Sequence, residues 1–208
     1  MNCKIVASKS LDDRIPQAMR ALIKERTWLD CETVEDLPKE LNLHSFFPID
    51  LVDVSVLGAG GVEYLDLTNF TSVTDVSALG ESTTLRHLVL RWCIGVVDVS
   101  ALGTSTTLQH LDLTGCVSVT DVSALGTSTT LRKLILRRCT GVTDVSALGK
   151  VKELDLSACT GVTDVSALSK VENLILWGCT GVTDFSAVPH AQLEFYLTKS
   201  GLERSRWR

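Results

Sequence analysis

One segment recurs along this chain almost unchanged, and no other property narrows its possible folds as much. Leu-x-Leu pairs stand at Leu65/Leu67, Leu88/Leu90, Leu111/Leu113, Leu134/Leu136, Leu154/Leu156 and Leu174/Leu176, so the second leucine returns after 23, 23, 23, 20 and 20 residues. Three residues beyond it comes Phe70, then Cys93, Cys116, Cys139, Cys159 and Cys179. A Val-Thr-Asp-Val-Ser-Ala-Leu run follows, complete at Val142–Leu148. Weaker copies flank the series at Leu41/Leu43 with Phe46 and at Phe195/Leu197 with Ser200, giving six good repeats and two degenerate ends. A unit this short cannot bury its apolar face alone, so the copies must stack.

The two leucines of each pair point the same way, because side chains alternate along a strand. Stacked copies therefore form a parallel sheet with strands about 4.8 Å apart and leucines facing inward. Val142, Val145 and Leu148, three apart, suit a tight turn or a short 3₁₀ segment on the opposite side. Asp144 stands just before that segment, placed to accept from its free N–H groups, with Ser146 as further local hydrogen-bonding capacity. Asp75, Asp98, Asp121, Asp164 and Asp184 repeat that position, a row of like charges that is tolerable if each meets the positive end of a turn. Three early units carry an insertion of the form Gly-x-Ser-Thr-Thr (residues 80–84, 103–107 and 126–130), which shrinks to Gly149-Lys150 and Ser169-Lys170. A change of curvature is expected near residue 149.

The cysteine column predicts a buried ladder in which each thiol fills the turn and bonds a neighbouring carbonyl. Phe70 occupies the same place in the first copy, and no zinc-type Cys-x-x-Cys spacing occurs, so neither metal nor redox chemistry is expected of it. Adjacent disulfides would need a dihedral that parallel side chains seldom meet. Seven cysteines, an odd number, fit a reducing compartment. The opening stretch Met1–Ser10 lacks an apolar run of signal-peptide length, which adds to an expectation of an intracellular, cytoplasmic protein.

The repeat resembles the leucine-rich repeat, L-x-x-L-x-L-x-x-N/C-x-x-V, over roughly residues 41–200. Its Cys-x-x-Val-Thr-Asp run is similar to the cysteine-containing subclass found in substrate receptors of ubiquitin ligases. Its short period and Val-Thr-Asp-Val-Ser-Ala-Leu run resemble bacterial internalin-type arrays and the arrays of kinetoplastid protists. Units of 20 to 23 residues leave no room for the longer convex helix of the ligase subclass, so the short-repeat resemblance carries more weight. It implies an α/β solenoid: a right-handed coil with a parallel concave β-sheet, a convex side of short turns or 3₁₀ segments, and an N-terminal helical cap.

Residues 1–40 carry no repeat and form the expected capping segment. Ile15, Met19, Leu22, Ile23 and Arg26 follow helical spacing, Pro16 suits a first turn, and Asp12 or Asp13 is placed to cap, so a helix over about 15–29 is predicted to cover the first coil. Asp36-Leu37-Pro38-Lys39-Glu40-Leu41 resembles the opening of an F-box, although the first Val-Ser-x-Leu signature at Val54 leaves no room for the usual three helices. Residues 41–200 form the solenoid, and 201–208 a short basic tail.

Function in such a stack lives on the concave sheet. Between the paired leucines the outward column reads Asp66, Val89, Asp112, Ile135, Asp155, Ile175 and Tyr196; just after them it reads Thr68, Arg91, Thr114, Arg137, Ser157, Trp177 and Thr198. Both alternate, which doubles the spacing between acids and sets each arginine diagonally near an aspartate. Tyr64, Trp92, Trp177, Arg91, Arg137 and Arg138 are residue types enriched among binding hot spots. His87, His110 and Lys133 complete the candidate face. Two imidazoles near Asp66 and Asp112 raise zinc as a possibility, but regular stacking already explains their proximity. No triad and no phosphate-cradling glycine loop is present, so catalysis is unsupported and no cofactor is expected.

The chain is 45% apolar with a formal charge of −5, too apolar to be disordered, and it contains no apolar run long enough for a membrane span. Bulk acidity disfavours nucleic acid. Yet seven of the 25 acids, Asp53 to Asp184, belong to the turns, and the remaining 18 face 20 bases. The strand columns are nearly balanced, with a basic segment at Arg132, Lys133, Arg137 and Arg138, where an anionic partner remains open. The expected function is non-catalytic binding of a protein or peptide on the concave face. The alternatives are a structural subunit of a large intracellular assembly and a receptor-like component of a ubiquitin ligase.

Overall fold

The computed structural model describes residues 17–27, 33–45 and 53–188. Among them runs one sheet of seven parallel strands, paired in sequence order: β1 (Glu40–Asn42), β2 (Tyr64–Asp66), β3 (His87–Val89), β4 (His110–Asp112), β5 (Lys133–Ile135), β6 (Glu153–Asp155) and β7 (Asn173–Ile175). The register sets leucine on leucine in a single inward row, Leu41, Leu65, Leu88, Leu111, Leu134, Leu154 and Leu174, all buried. A one-residue slip would turn that row to solvent, so the repeat period fixes the register. Ladder bonds continue past the short strands, as where the Leu67 N–H donates to the Val89 carbonyl at 2.8 Å and that of Asn69 to Arg91 at 2.8 Å.

The chain returns along the convex side through single turns. In the earlier coils these are α-helical, at Val56–Ala59, Ser77–Gly80 and Ser100–Gly103; in the later ones they are 3₁₀, at Ser123–Thr127, Ser146–Lys150 and Ser166–Lys170. Val142, Val145 and Leu148 of the representative coil are buried. The turn aspartates act through one oxygen: Oδ1 of Asp75, Asp98, Asp121, Asp144, Asp164 and Asp184 each accepts the N–H of the serine two residues on, at 2.8 Å. Those bonds hold the carboxyls below the ordinary carboxylate range. Coils approach so closely here that a Cβ on Gly103 would stand 2.2 Å from the Ala124 carbonyl oxygen, which only glycine avoids.

The cysteine ladder runs through the interior. Cys93, Cys116, Cys139, Cys159 and Cys179 are buried free thiols, and each donates to a leucine carbonyl of the preceding coil, at 3.1, 2.9, 3.0, 2.9 and 2.9 Å. Phe70 occupies the first rung, fully buried. The Gly-x-Ser-Thr-Thr insertions are stitched inward rather than displayed: Ser82 and Ser105 are buried, and Thr107 Oγ1 donates to the carbonyls of Ser82 and Leu85 at 3.0 and 2.8 Å.

At the N-terminal end, α1 (Gln17–Thr27) lies against β1, with Met19 and Ile23 fully buried in the cluster that holds Leu41, Leu43 and Leu57. The segment resembling an F-box opening instead leads into β1, with Leu37 and Leu41 buried. Ile15, Pro16, Asp12, Asp13, Phe46, Tyr196 and the basic tail lie outside the described residues. No described helix is long and apolar enough to cross a membrane.

Candidate partner-binding face

Three outward columns cover the sheet. The first, in register, is Glu40, Tyr64, His87, His110, Lys133, Glu153 and Asn173. Tyr64, His87 and His110 stand as tilted neighbouring rings with centroids 6.2 and 5.6 Å apart. Burial, then Lys133 and His87, lower the His110 pKa below that of an ordinary imidazole. Among the described residues no group of three His, Cys, Asp or Glu side chains is gathered for a metal. Lys133 pairs with Glu153 at 3.0 Å.

The second and third columns interlock. Oδ1 of Asp66 accepts both the N–H and the hydroxyl of Thr68, and Asp112 does the same for Thr114. Asp155 Oδ1 serves Ser157 likewise, at 2.9 and 2.5 Å. The other oxygen faces the arginine one coil back: Arg91 Nε to Asp112 Oδ2 is 2.7 Å, and Arg137 Nε to Asp155 Oδ2 is 3.3 Å. The alternation read in the sequence is therefore a pairing device, and it corrects the candidate face in two places. Asp112 is wholly buried and Val89 nearly so, and both Asp112 oxygens are occupied, Oδ1 by Thr114 and Oδ2 by Arg91. Neither is presented to a partner. Ile135, half-buried, and the exposed Ile175 and Trp177, 39% and 48%, remain accessible with Arg91 and Arg137.

Trp92 and Arg138 end their strands differently. With Asn69, Gly115, Ala158 and Gly178 they form a column whose φ angles all lie between 59° and 75°. Each of the six coils from β2 to β7 thus enters the left-handed region at one residue, a conformation costing a side-chain-bearing residue on the order of 1 kcal/mol. The Trp92 ring lies across Gly115, where an added Cβ would come within 2.3 Å of Cε3. Beyond Gly115 the Arg138 guanidinium meets the same ring, 6.0 Å from its centroid.

A leucine-rich-repeat family model matches residues 104–125, which is one coil, and that coil's sequence recurs in its neighbours in the same register. The fold is a leucine-rich-repeat solenoid. It matches the crystal structure of internalin C2 from Listeria monocytogenes, with a TM-score of 0.54 at 20% identity, covering 82% of this chain and 87% of that one. A leucine-rich-repeat protein of Leptospira interrogans aligns at 20% identity and a TM-score of 0.47, over 70% of this chain and 41% of its own. No curated protein matches the sequence closely enough to count as a relative.

The leucine-rich-repeat stack also carries exposed apolar residues that reading the strand columns missed: Ile94, Val97 and Val117. They lie after the cysteine, on the flank between sheet and convex turns. The signal was present, since the corresponding positions in the other good repeats are threonine.

Proposed function

We propose that this leucine-rich-repeat chain is a non-catalytic module that binds a protein or peptide on the C-terminal half of its concave sheet. The observation that carries this reading is the exposed pair Ile175 and Trp177. Ile175 helps line a shallow depression, with Lys133, Ile135, Glu153, Asp155 and Asn173, and Arg137 is held beside it by Asp155. About 120 Å³ of open space is far below the roughly 300–1,000 Å³ of metabolite pockets, yet it accommodates a protruding side chain. An aromatic ring, aliphatic groups and oriented cations on a rigid sheet are the composition of a binding hot spot and cost little ordering on association. The sheet hydroxyls of Thr68, Thr114 and Ser157 are committed to their aspartates, which supports a binding rather than a nucleophilic role. The free thiols support a reducing, intracellular setting.

The test is crosslinking and affinity capture from the native cell with the full chain as bait, followed by mass spectrometry. A chain carrying Arg137→Ala, Ile175→Ala and Trp177→Ala is expected to lose the specific partner at least tenfold, about 1.4 kcal/mol. Arg91 is left intact because it covers the buried Asp112 carboxylate. Undiminished capture by the triple variant would move the interaction off this sheet.

A further inference from the structure

Two columns run along one flank of the stack, between the strand ends and the convex turns. The first reads Thr71, Ile94, Val117, Thr140, Thr160 and Thr180; the second reads Thr74, Val97, Thr120, Thr143, Thr163 and Thr183. The three departures from threonine fall in two adjacent coils, where Ile94, Val97 and Val117 are 46%, 58% and 44% exposed. The coil-to-coil contact beneath them is firm, since Ser118 Oγ donates to the Ile94 carbonyl at 2.6 Å. Trp92, also exposed, adjoins them: its carbonyl accepts the Ile94 N–H at 2.9 Å, and its ring is pinned over Gly115. Threonine serves the fold at these positions in the other good repeats, so the stack does not require the apolar side chains. A contiguous apolar patch that folding does not require marks an interaction surface.

The rim of the patch is charged with opposite sign on its two sides. On the strand side stands the exposed Arg138, against the Trp92 ring. On the convex side, immediately after the second column, stand the exposed carboxylates Asp98, Asp121 and Asp144.

We propose that a second copy of this chain covers the patch, in a two-fold dimer whose axis lies in the flank along the stack of coils. That rotation lays the strand side of each copy over the convex side of the other. Arg138 of one copy then meets the acid row of its partner, while Ile94, Val97, Val117 and Trp92 meet the partner's patch. A partner surface of a single sign would set one rim against like charge. A two-fold axis running across the coils would lay strand side on strand side and convex side on convex side, setting acid row against acid row, so charge selects the orientation. The apolar centre is small beside the roughly 800 Å² per partner of a standard stable interface, and the dimer is accordingly weak and concentration-dependent.

Sedimentation equilibrium on the full chain over a wide concentration range tests this. The wild type is expected to pass from monomer to dimer. The combined variant Ile94→Thr, Val97→Thr, Val117→Thr carries the residue that the other coils already use, so it folds, as an unchanged unfolding curve will verify. Its dimer is expected to be at least about a hundredfold weaker. Arg138→Glu is expected to weaken association at least about tenfold. Ile175→Ala with Trp177→Ala leaves the dimer intact, which separates this surface from the concave one. A wild type that stays monomeric at every concentration overturns the proposal in favour of a foreign partner. A dimer that survives the threonine variant overturns it in favour of another surface.

Discussion

Replacing Gly115 by alanine is expected to cost more than replacing Gly178, although the two glycines share φ angles of +75° and +74°. At Gly178 the new Cβ meets nothing nearer than 3.6 Å, leaving only the left-handed backbone penalty, on the order of 1 kcal/mol. At Gly115 it also drives into the Trp92 ring, which must swing away and lose Arg138, adding roughly 0.5–1 kcal/mol. Urea unfolding of the two variants measures the difference, and equal costs would show that the ring does not rest there. The left-handed column was partly legible, because Asn69, Gly115 and Gly178 are residues that tolerate it. Trp92, Arg138 and Ala158 concealed it: stacking forces each coil through the same turn whatever its side chain. Asp112 shows the same limit in another form. Its alternation with Arg91 was readable, but its complete burial, with one oxygen held by Arg91 of the preceding coil, was not.

The cysteine ladder is the element whose role the sequence foretold most directly, and its chemistry follows from burial. Desolvation raises the Cys93 and Cys139 thiols from an ordinary 9.0 to about 12, and it raises Cys116 and Cys159 in the same direction. Unfolded, these thiols ionise near 9.0, so above that pH the unfolded chain binds fewer protons than the native one. Their contribution to stability is therefore complete below pH 9 and declines as pH rises toward 12. Urea midpoints at about pH 8 and about pH 10.5 should show the decline, and a Cys93→Ala, Cys139→Ala chain should show a shallower one. A slope unaffected by removing those thiols would assign alkaline unfolding to other groups. Because the thiolate is the reactive species, the native ladder is also expected to resist alkylation until the chain unfolds.

A solenoid has contacts only between neighbours, so its stability is a sum along one dimension and its ends are its weak points. Met19 and Ile23 cover the first coil and are fully buried there. Ile23→Ala is expected to cost about 2–5 kcal/mol locally. In hydrogen exchange the loss should appear as weaker protection of β1 and β2, with β5 to β7 hardly affected. A uniform loss of protection would mean that the stack unfolds as one cooperative body.

The sequence alone determined the leucine register, the parallel strand order, the thiol ladder and the position of the turn aspartates. All of these repeat at a fixed period, and stacking converts sequence period directly into spatial neighbourhood. Only the tertiary structure decided which outward residues are accessible. Val89 and Ile175 share one column, yet one is buried and the other exposed, because exposure depends on what the adjoining coils place beside each residue. The flank patch formed in the same way: Ile94, Val97 and Val117 are scattered in the chain and become one surface when two coils lie side by side. Periodicity specifies what each coil does in common with the others. The differences between coils acquire meaning only when neighbours meet, a few ångströms apart, across the stack.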